Sequence, residues 1–316
     1  MSDESGQCGR VLITGASGLV GGRLIQSLLE STEIQVRAAS RIERTWPGHV
    51  EGCLTDFADP KSLAEACRDV DAVVNLATMC ESACAAAPAE ALRANAGGML
   101  ALATAATAAG VRRLVHLSTA KVYGIAPKGV VTEETLTDPA SHYAITHRFA
   151  EIYAASQHRN AVVLRLANGF GAPVNALAGA WVPMVNGICR EAVESGTITI
   201  HSSGLGTRDF IPMNDIVRAL RAALGSMPAG TYNLGAGRLL SLREMAEQVA
   251  QICAASLGFR PEVMIGVDRA GVPAAPLDFR VTKLAQAGIT ACASSAEEIA
   301  LTLQAARRAF VSPDSE

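Results

Sequence analysis

A chain of 316 residues can bury a large core, and its length permits one to three domains. Hydrophobic residues make up 49% and charged residues 18%, the balance of a well-buried soluble enzyme rather than of a disordered chain. The net charge of −3 gives no electrostatic reason to expect nucleic acid or an anionic membrane surface as partner.

The first residues, Met1-Ser2-Asp3-Glu4-Ser5-Gly6, are acidic and polar and do not read as a signal peptide. No later segment holds the ~18 uninterrupted apolar residues that a spanning helix needs. A cytoplasmic protein is therefore expected, with its eight cysteines reduced. Cys80 and Cys84 share a helical spacing, yet no further Cys or His completes a ligand set, so they read as structural thiols and no metal site is expected.

In chain order, the apolar strand Val11-Leu12-Ile13 stops at Gly15. An amphipathic helix carrying Leu19, Val20, Leu24, Ile25, Leu28 and Leu29 follows, with Gly18 and Gly21 at intervals of three. Strand, tight turn and helix form the outline of a dinucleotide site. Glycine takes backbone angles closed to other residues, and the helix aims its free N–H groups and positive dipole end at a pyrophosphate.

A second strand covers residues 34–39 and ends at Ser40-Arg41. An NAD-selective site carries an acid about 20 residues past the glycines. A hydroxyl and a guanidinium at that point suit a 2′-phosphate instead, so NADP(H) is the expected cofactor, with NAD(H) as the alternative.

Further strands are expected over residues 51–56, 71–77, 114–119 and 161–166, with helices over 62–67 and 88–109 between them. The run 71–77 is apolar on both faces, as a central parallel strand is. Alternation at this spacing implies right-handed crossovers and a parallel sheet covered on both sides. Beyond Gly171-Ala172-Pro173 the pattern loosens into a strand at 197–201, a helix at 215–224, a strand at 231–234 and a helix at 241–254, which opens on the capping box Ser241…Glu244. The expected architecture is α/β: a doubly wound, dinucleotide-binding domain over 1–171 and a smaller substrate-binding domain over 172–316, with interleaved segments allowed for. The tail 312–316 is expected to be disordered.

Taken together, these motifs resemble the extended short-chain dehydrogenase/reductase family of nucleotide-sugar epimerases, dehydratases and 4-ketoreductases. They are Thr14-Gly15-Ala16-Ser17-Gly18-Leu19-Val20-Gly21, Asn75-Leu76-Ala77, Asn95, Ser118-Thr119 with Val122-Tyr123-Gly124, and Tyr143. Later come Arg165-Leu166-Ala167-Asn168-Gly169-Phe170-Gly171, Gly206-Thr207-Arg208-Asp209-Phe210-Ile211 and Tyr232-Asn233-Leu234-Gly235. The resemblance implies a Rossmann domain, with the cofactor held by Gly15, Ser17, Gly18, Leu19, Val20, Gly21, Ser40, Arg41, Leu76, Ala77, Tyr143 and His147. Catalytic roles fall on Tyr143, which exchanges a proton with the substrate oxygen, and on Thr119, which bonds the same oxygen, with Asn95, Lys121 and His147 beside them. Substrate contacts fall on Thr119, Lys121, Asn168, Arg208 and Arg269, the arginines facing a nucleotide-sugar diphosphate. A homodimer through a four-helix contact that includes the helix at Tyr143 is also implied.

Three departures from the family pattern stand out. Where Tyr-x-x-x-Lys is usual, this chain has Tyr143-Ala144-Ile145-Thr146-His147. Spacing of four keeps both side chains on one helix face, but a histidine of reference pKa about 6.5 lends charge only in part. Three accounts follow: His147 substitutes, with catalysis favoured at lower pH; Lys121, one of four lysines, restores the charge; or the chain binds dinucleotide without turnover. The Asp-Glu pair of the dehydratases is replaced by Ala120-Lys121, which disfavours elimination and leaves 4-keto reduction, or 4-epimerisation with retained NAD. Cys53 stands where the family has an acid facing the adenine amino group. His116, His142 and His201 read as structural.

Overall fold

The computed structural model describes residues 9–31, 33–125, 127–175, 178–225, 227–267 and 277–311. Its first half runs β1 (Arg10–Thr14), α1 (Leu19–Leu28), β2 (Gln35–Ser40), β3 (Glu51–Leu54), α2 (Pro60–Ala66), β4 (Ala72–Asn75), α3 (Glu81–Ala86), α4 (Pro88–Ala91), a π-helical segment (Leu92–Gly97), α5 (Gly98–Ala108) and β5 (Arg113–Thr119). There follow β6 (Gly129–Val131), α6 (His142–Gln157), β7 (Ala161–Leu166), β8 (Asn168–Phe170), α7 (Met184–Ser195), β9 (Thr197–Ile200), β10 (Thr207–Pro212), α8 (Met213–Leu224) and β11 (Gly230–Leu234). The chain closes with β12 (Leu239–Ser241), α9 (Leu242–Leu257), β13 (Glu262–Ile265), β14 (Leu277–Phe279), α10 (Thr282–Gln286) and α11 (Ser295–Phe310).

Seven strands form one parallel sheet in the order β11-β7-β5-β4-β1-β2-β3. The period of two along β1 divides its side chains between two cores. Val11 and Ile13 pack with α1 and α8 on one face, and Leu12 packs with α2 and α5 on the other. All three are fully buried, which is why the strand reads as an unbroken apolar run.

From β1 the chain winds outward to β2 and β3, then returns to the other side through β4. The crevice at this reversal, at the carboxyl ends of the strands, is where ligands bind in such sheets. A second apolar core lies among α7, α9 and α11. Glu298 of α11, 1% exposed, accepts from Arg23 of α1 at 2.6 Å and from the Ala172 N–H at 3.0 Å, tying that core to the first.

Two elements differ from the sequence reading. The strand at the Tyr232-Asn233-Leu234-Gly235 motif does not stay with the C-terminal elements, because its register with β7 (Tyr232 opposite Leu164) makes it the edge of the main sheet. The single helix expected over 88–109 begins as α4 at Pro88, widens to a π turn over Leu92–Gly97 and continues as α5. Such widened turns gather at functional sites, and this one buries Asn95.

Candidate active site

At the first turn, Gly15 has φ of +66°, and a Cβ there would lie 2.6 Å from the Leu76 carbonyl carbon. Only glycine fits where β1 crosses the end of β4. Gly21 is equally confined, since its Cβ would meet the Gly15 carbonyl oxygen at 2.4 Å. Gly18 caps α1 without any side-chain hydrogen bond, so no side chain competes for the first N–H groups of that helix. Ser17, Leu19 and Val20 surround the turn, and Leu76 and Ala77 leave the end of the neighbouring strand partly exposed. This donor set fits a dinucleotide pyrophosphate. At the end of β2, Ser40 Oγ accepts from the Ile42 N–H at 3.3 Å, and Arg41 is exposed.

The helix α6 begins at Ser141, whose Oγ accepts from the Ala144 N–H at 3.2 Å. Its four-residue spacing stacks Tyr143, His147 and Glu151 along one face. Thr119, the last residue of β5, hydrogen-bonds the Tyr143 side chain. Burial pushes the Tyr143 phenol up to about 12, the negative charge of Glu81 adds to the rise, and the Thr119 bond works against both.

His147 lies against Tyr143, with 4.4 Å between ring centroids, and its Nε2 bonds Thr78 Oγ1 at 3.1 Å. Burial, helped by His116, depresses its pKa to about 3. The ring is therefore neutral at any physiological pH, and the expected gain in activity from its protonation at lower pH has no support here. Lys121 does bring a cation near: its Nζ is 5.9 Å from the Tyr143 ring centroid. That charge is paired with Glu81, and of the two it is the Glu81 charge that acts on the phenol, raising its pKa.

Asn95 is a positioning group in this arrangement. Its Oδ1 accepts from the Met79 N–H at 2.8 Å, and its Nδ2 donates to Thr146 Oγ1 at 3.0 Å. It thereby ties the loop after β4 to α6, between the two ends of the site. Cys84 packs into the same junction and is buried.

Beyond Thr119 opens a cleft of about 390 Å³ lined by Thr119, Lys121, Asn168 and Arg208, among others. Four of the five expected substrate contacts thus line one cleft; Arg269, the fifth, lies outside the described residues. Asn168 Nδ2 donates to the Asp209 carbonyl at 2.9 Å, which holds β8 against β10. Arg208 is partly buried, its pKa lowered by that burial, and it makes a long bond to the Gly206 carbonyl at 3.4 Å. Asp209 is turned away from it, accepting from the Ala236 and Gly237 N–H groups at 2.6 and 2.7 Å. A half-desolvated guanidinium with no carboxylate partner among the described residues suits an anionic ligand.

Three features escape a motif-by-motif reading. Thr78 enters the site from the loop after β4 and Glu81 from the start of α3, and the rule that ligands bind at the carboxyl ends of parallel strands is the signal that points to that segment. Beneath Thr119, Ser118 Oγ donates to Glu151 at 2.7 Å, and Arg165 grips the same carboxylate through Nε and Nη2 at 3.0 and 2.8 Å. Arg165 also donates to the Tyr123 hydroxyl at 2.8 Å, and that hydroxyl donates to Asn233 at 2.7 Å. The family-like residues Ser118, Tyr123, Arg165 and Asn233 are in this way one buried polar network.

Among the described residues no group of three or more His, Cys, Asp and Glu side chains is placed to hold a metal ion, and no helix is long and apolar enough to cross a membrane.

The chain is similar to several known proteins. The chain is 27% identical over 305 residues to a UDP-glucose 4-epimerase of Azospirillum brasilense, covering 85% of this chain and 87% of that one. It is 26% identical over 270 residues to a dTDP-glucose 4,6-dehydratase of Streptomyces niveus, covering 78% of each. Its fold superposes on MoeE5 in complex with UDP-glucose and NAD with a TM-score of 0.79 and 26% identity, over 95% of this chain and 99% of that one. The NADP(H) preference read from Ser40-Arg41 finds no support in that neighbour, which carries NAD. A family model matches residues 11–235, and the chain belongs to the NAD dependent epimerase/dehydratase family, a group within the extended short-chain dehydrogenases/reductases.

Proposed function

We propose that the protein reduces a 4-keto nucleotide sugar with NADH, Tyr143 donating the proton to the carbonyl oxygen. The observation that carries this reading is the state of Tyr143: its phenol is held protonated by burial and by Glu81, and the neighbouring His147 adds no charge. The raised pKa weakens the phenol as an acid, yet at neutral pH the group is present almost wholly in the form that can donate and hardly at all in the form that abstracts, which supports reduction over oxidation. A nicotinamide held at the glycine turn would supply the hydride. The chain's own residues orient the substrate: Thr119 shares the carbonyl oxygen with Tyr143, and Arg208 faces the diphosphate. Ala120 and Lys121 provide no acid for elimination, which sets the dehydratase activity of one relative aside. The exposed Phe149 and Ile152 on α6 supply the apolar surface for the homodimer contact that the family resemblance implies.

A second reading, 4-epimerisation with retained NAD, is favoured by the epimerase relative and by the UDP-glucose and NAD that MoeE5 carries. The test is to supply a UDP-4-keto-hexose with NADH or NADPH and follow absorbance and product. Stoichiometric NADH consumption with a reduced sugar supports the proposal. Interconversion of UDP-glucose and UDP-galactose without net cofactor consumption overturns it. In the same assay Arg208→Ala is expected to raise KM for the nucleotide sugar by about 10- to 100-fold, the loss of charge-assisted bonds, with kcat little changed.

A further inference from the structure

Two runs of the family pattern, Gly206-Thr207-Arg208-Asp209-Phe210-Ile211 and Tyr232-Asn233-Leu234-Gly235, meet at one carboxylate. Asp209 on β10 is 2% exposed. Its Oδ1 accepts from the Ala236 N–H at 2.6 Å and its Oδ2 from the Gly237 N–H at 2.7 Å, and the Arg238 N–H bonds the same group. Three successive main-chain donors thus wrap one anion, as in the backbone nests that bind phosphates. Gly237 permits the turn with φ of +72°, and Gly235 lets the carboxylate lie against the chain, since a Cβ there would come within 2.8 Å of the Asp209 Cγ. Burial raises the Asp209 pKa to about 6, and the N–H groups and the charge of Arg238 oppose that rise, so above neutral pH the group is ionised and accepts through both oxygens.

The turn that holds this carboxylate, residues 235–238, joins two sheets. It leaves β11, the edge of the seven-stranded sheet whose β1 leads into the glycine turn. It enters β12, which pairs antiparallel with β10, Asp209 opposite Leu239 and Arg208 opposite Leu240. Asp209 therefore pins the strands on the substrate side to the sheet on the cofactor side. Two residues expected to contact substrate depend on the pin. Asn168 donates its Nδ2 to the Asp209 carbonyl at 2.9 Å. Arg208 precedes Asp209 on β10, where successive side chains alternate in direction, so the hold on Asp209 also sets the direction of Arg208. The guanidinium's own bond to Gly206, at 3.4 Å, is too long to fix it.

We infer that Asp209 is a positioning residue for nucleotide-sugar binding, whose anchor in the 235–238 turn fixes β10 so that Arg208 is held in place for the substrate diphosphate. The inference rests on the proposed reading of the cleft and goes beyond it: the preorganisation of the arginine is assigned to a carboxylate spent on the protein's own backbone.

The test is calorimetric titration of the whole protein at about pH 7.5 with UDP or dTDP and, separately, with NADH. Asp209→Asn and Gly235→Ala are each compared with the wild type, alone and in an Arg208→Ala background. An amide at position 209 has one accepting oxygen and sets an NH2 group against a turn N–H. Asp209→Asn is expected to weaken diphosphate binding about tenfold and to leave NADH affinity unchanged. Gly235→Ala, which disturbs the same contact from the turn side, is expected to do the same. Because the effect passes through Arg208, either substitution should add less than about twofold in the Arg208→Ala background.

Unaltered diphosphate affinity in folded Asp209→Asn overturns the inference, and so does a loss that persists undiminished in the Arg208→Ala background. Equal weakening of NADH and diphosphate would make the role one of stability alone and overturns it too. Should Asp209→Asn not fold, Gly235→Ala in the two backgrounds decides. A wild type that binds neither UDP nor dTDP, or an Arg208→Ala variant that binds as the wild type does, would sink the reading of the cleft and the inference with it. Binding that depends on Arg208 but survives Asp209→Asn would sink the inference alone.

Discussion

Tyr143→Phe should lower kcat by about a thousandfold, within the range expected for losing a positioned general acid. The substitution removes one hydroxyl and keeps the ring that packs on His147 at 4.4 Å, so the fold should be unchanged. KM for the nucleotide sugar should change little, because the proposed diphosphate contact, Arg208, is a separate residue of the cleft that the substitution leaves in place. Steady-state kinetics with a 4-keto sugar substrate checks both numbers. A variant that keeps most of its rate would remove Tyr143 from the chemistry.

The other large effect is expected in stability. Glu151 and Arg165 are 2% and 4% exposed, and each is the other's main charge partner. Glu151→Ala leaves a buried guanidinium with only the Tyr123 hydroxyl and a distant carbonyl, and should cost about 3–5 kcal/mol. Urea denaturation would show this as a lower midpoint with an unchanged slope. Because Ser118 loses its acceptor as well, the neighbouring Thr119 should shift, and residual activity should fall even where the variant is folded.

How much of this was legible in the sequence depends on the range of the forces involved. The β1 turn was readable because its signal is local: Gly15 is required by its positive φ and by the chain leaving β4, and Gly21 by the turn backbone itself. Tyr143 and Thr119 were readable through motif order, and they do meet. The placement of β11 was not, because a short apolar strand carries no mark of the sheet it will join; its register with β7 is a tertiary outcome. The π turn at Asn95 was hidden for a similar reason, since one widened turn barely disturbs the apolar spacing. His116 read as structural, and its burial against His147 agrees. The state of His147 itself was the hardest feature to foresee. Its residue type suggested a titrating group, whereas complete burial beside a second histidine makes it a neutral one.

The most direct test of the central claim is the pH dependence of the reductive kcat, measured for the wild type and for His147→Lys. Tyr143 is protonated below its raised pKa of about 12 and His147 does not titrate above about 3. The wild-type rate should therefore stay flat between about pH 6 and 10, while the reverse, oxidative rate climbs by about tenfold per pH unit. In His147→Lys an ammonium beside the phenol should lower its pKa and bring a falling limb into the reductive profile. A wild-type reductive rate that already falls near neutrality, or that follows a histidine titrating near its reference value of about 6.5, would contradict the account.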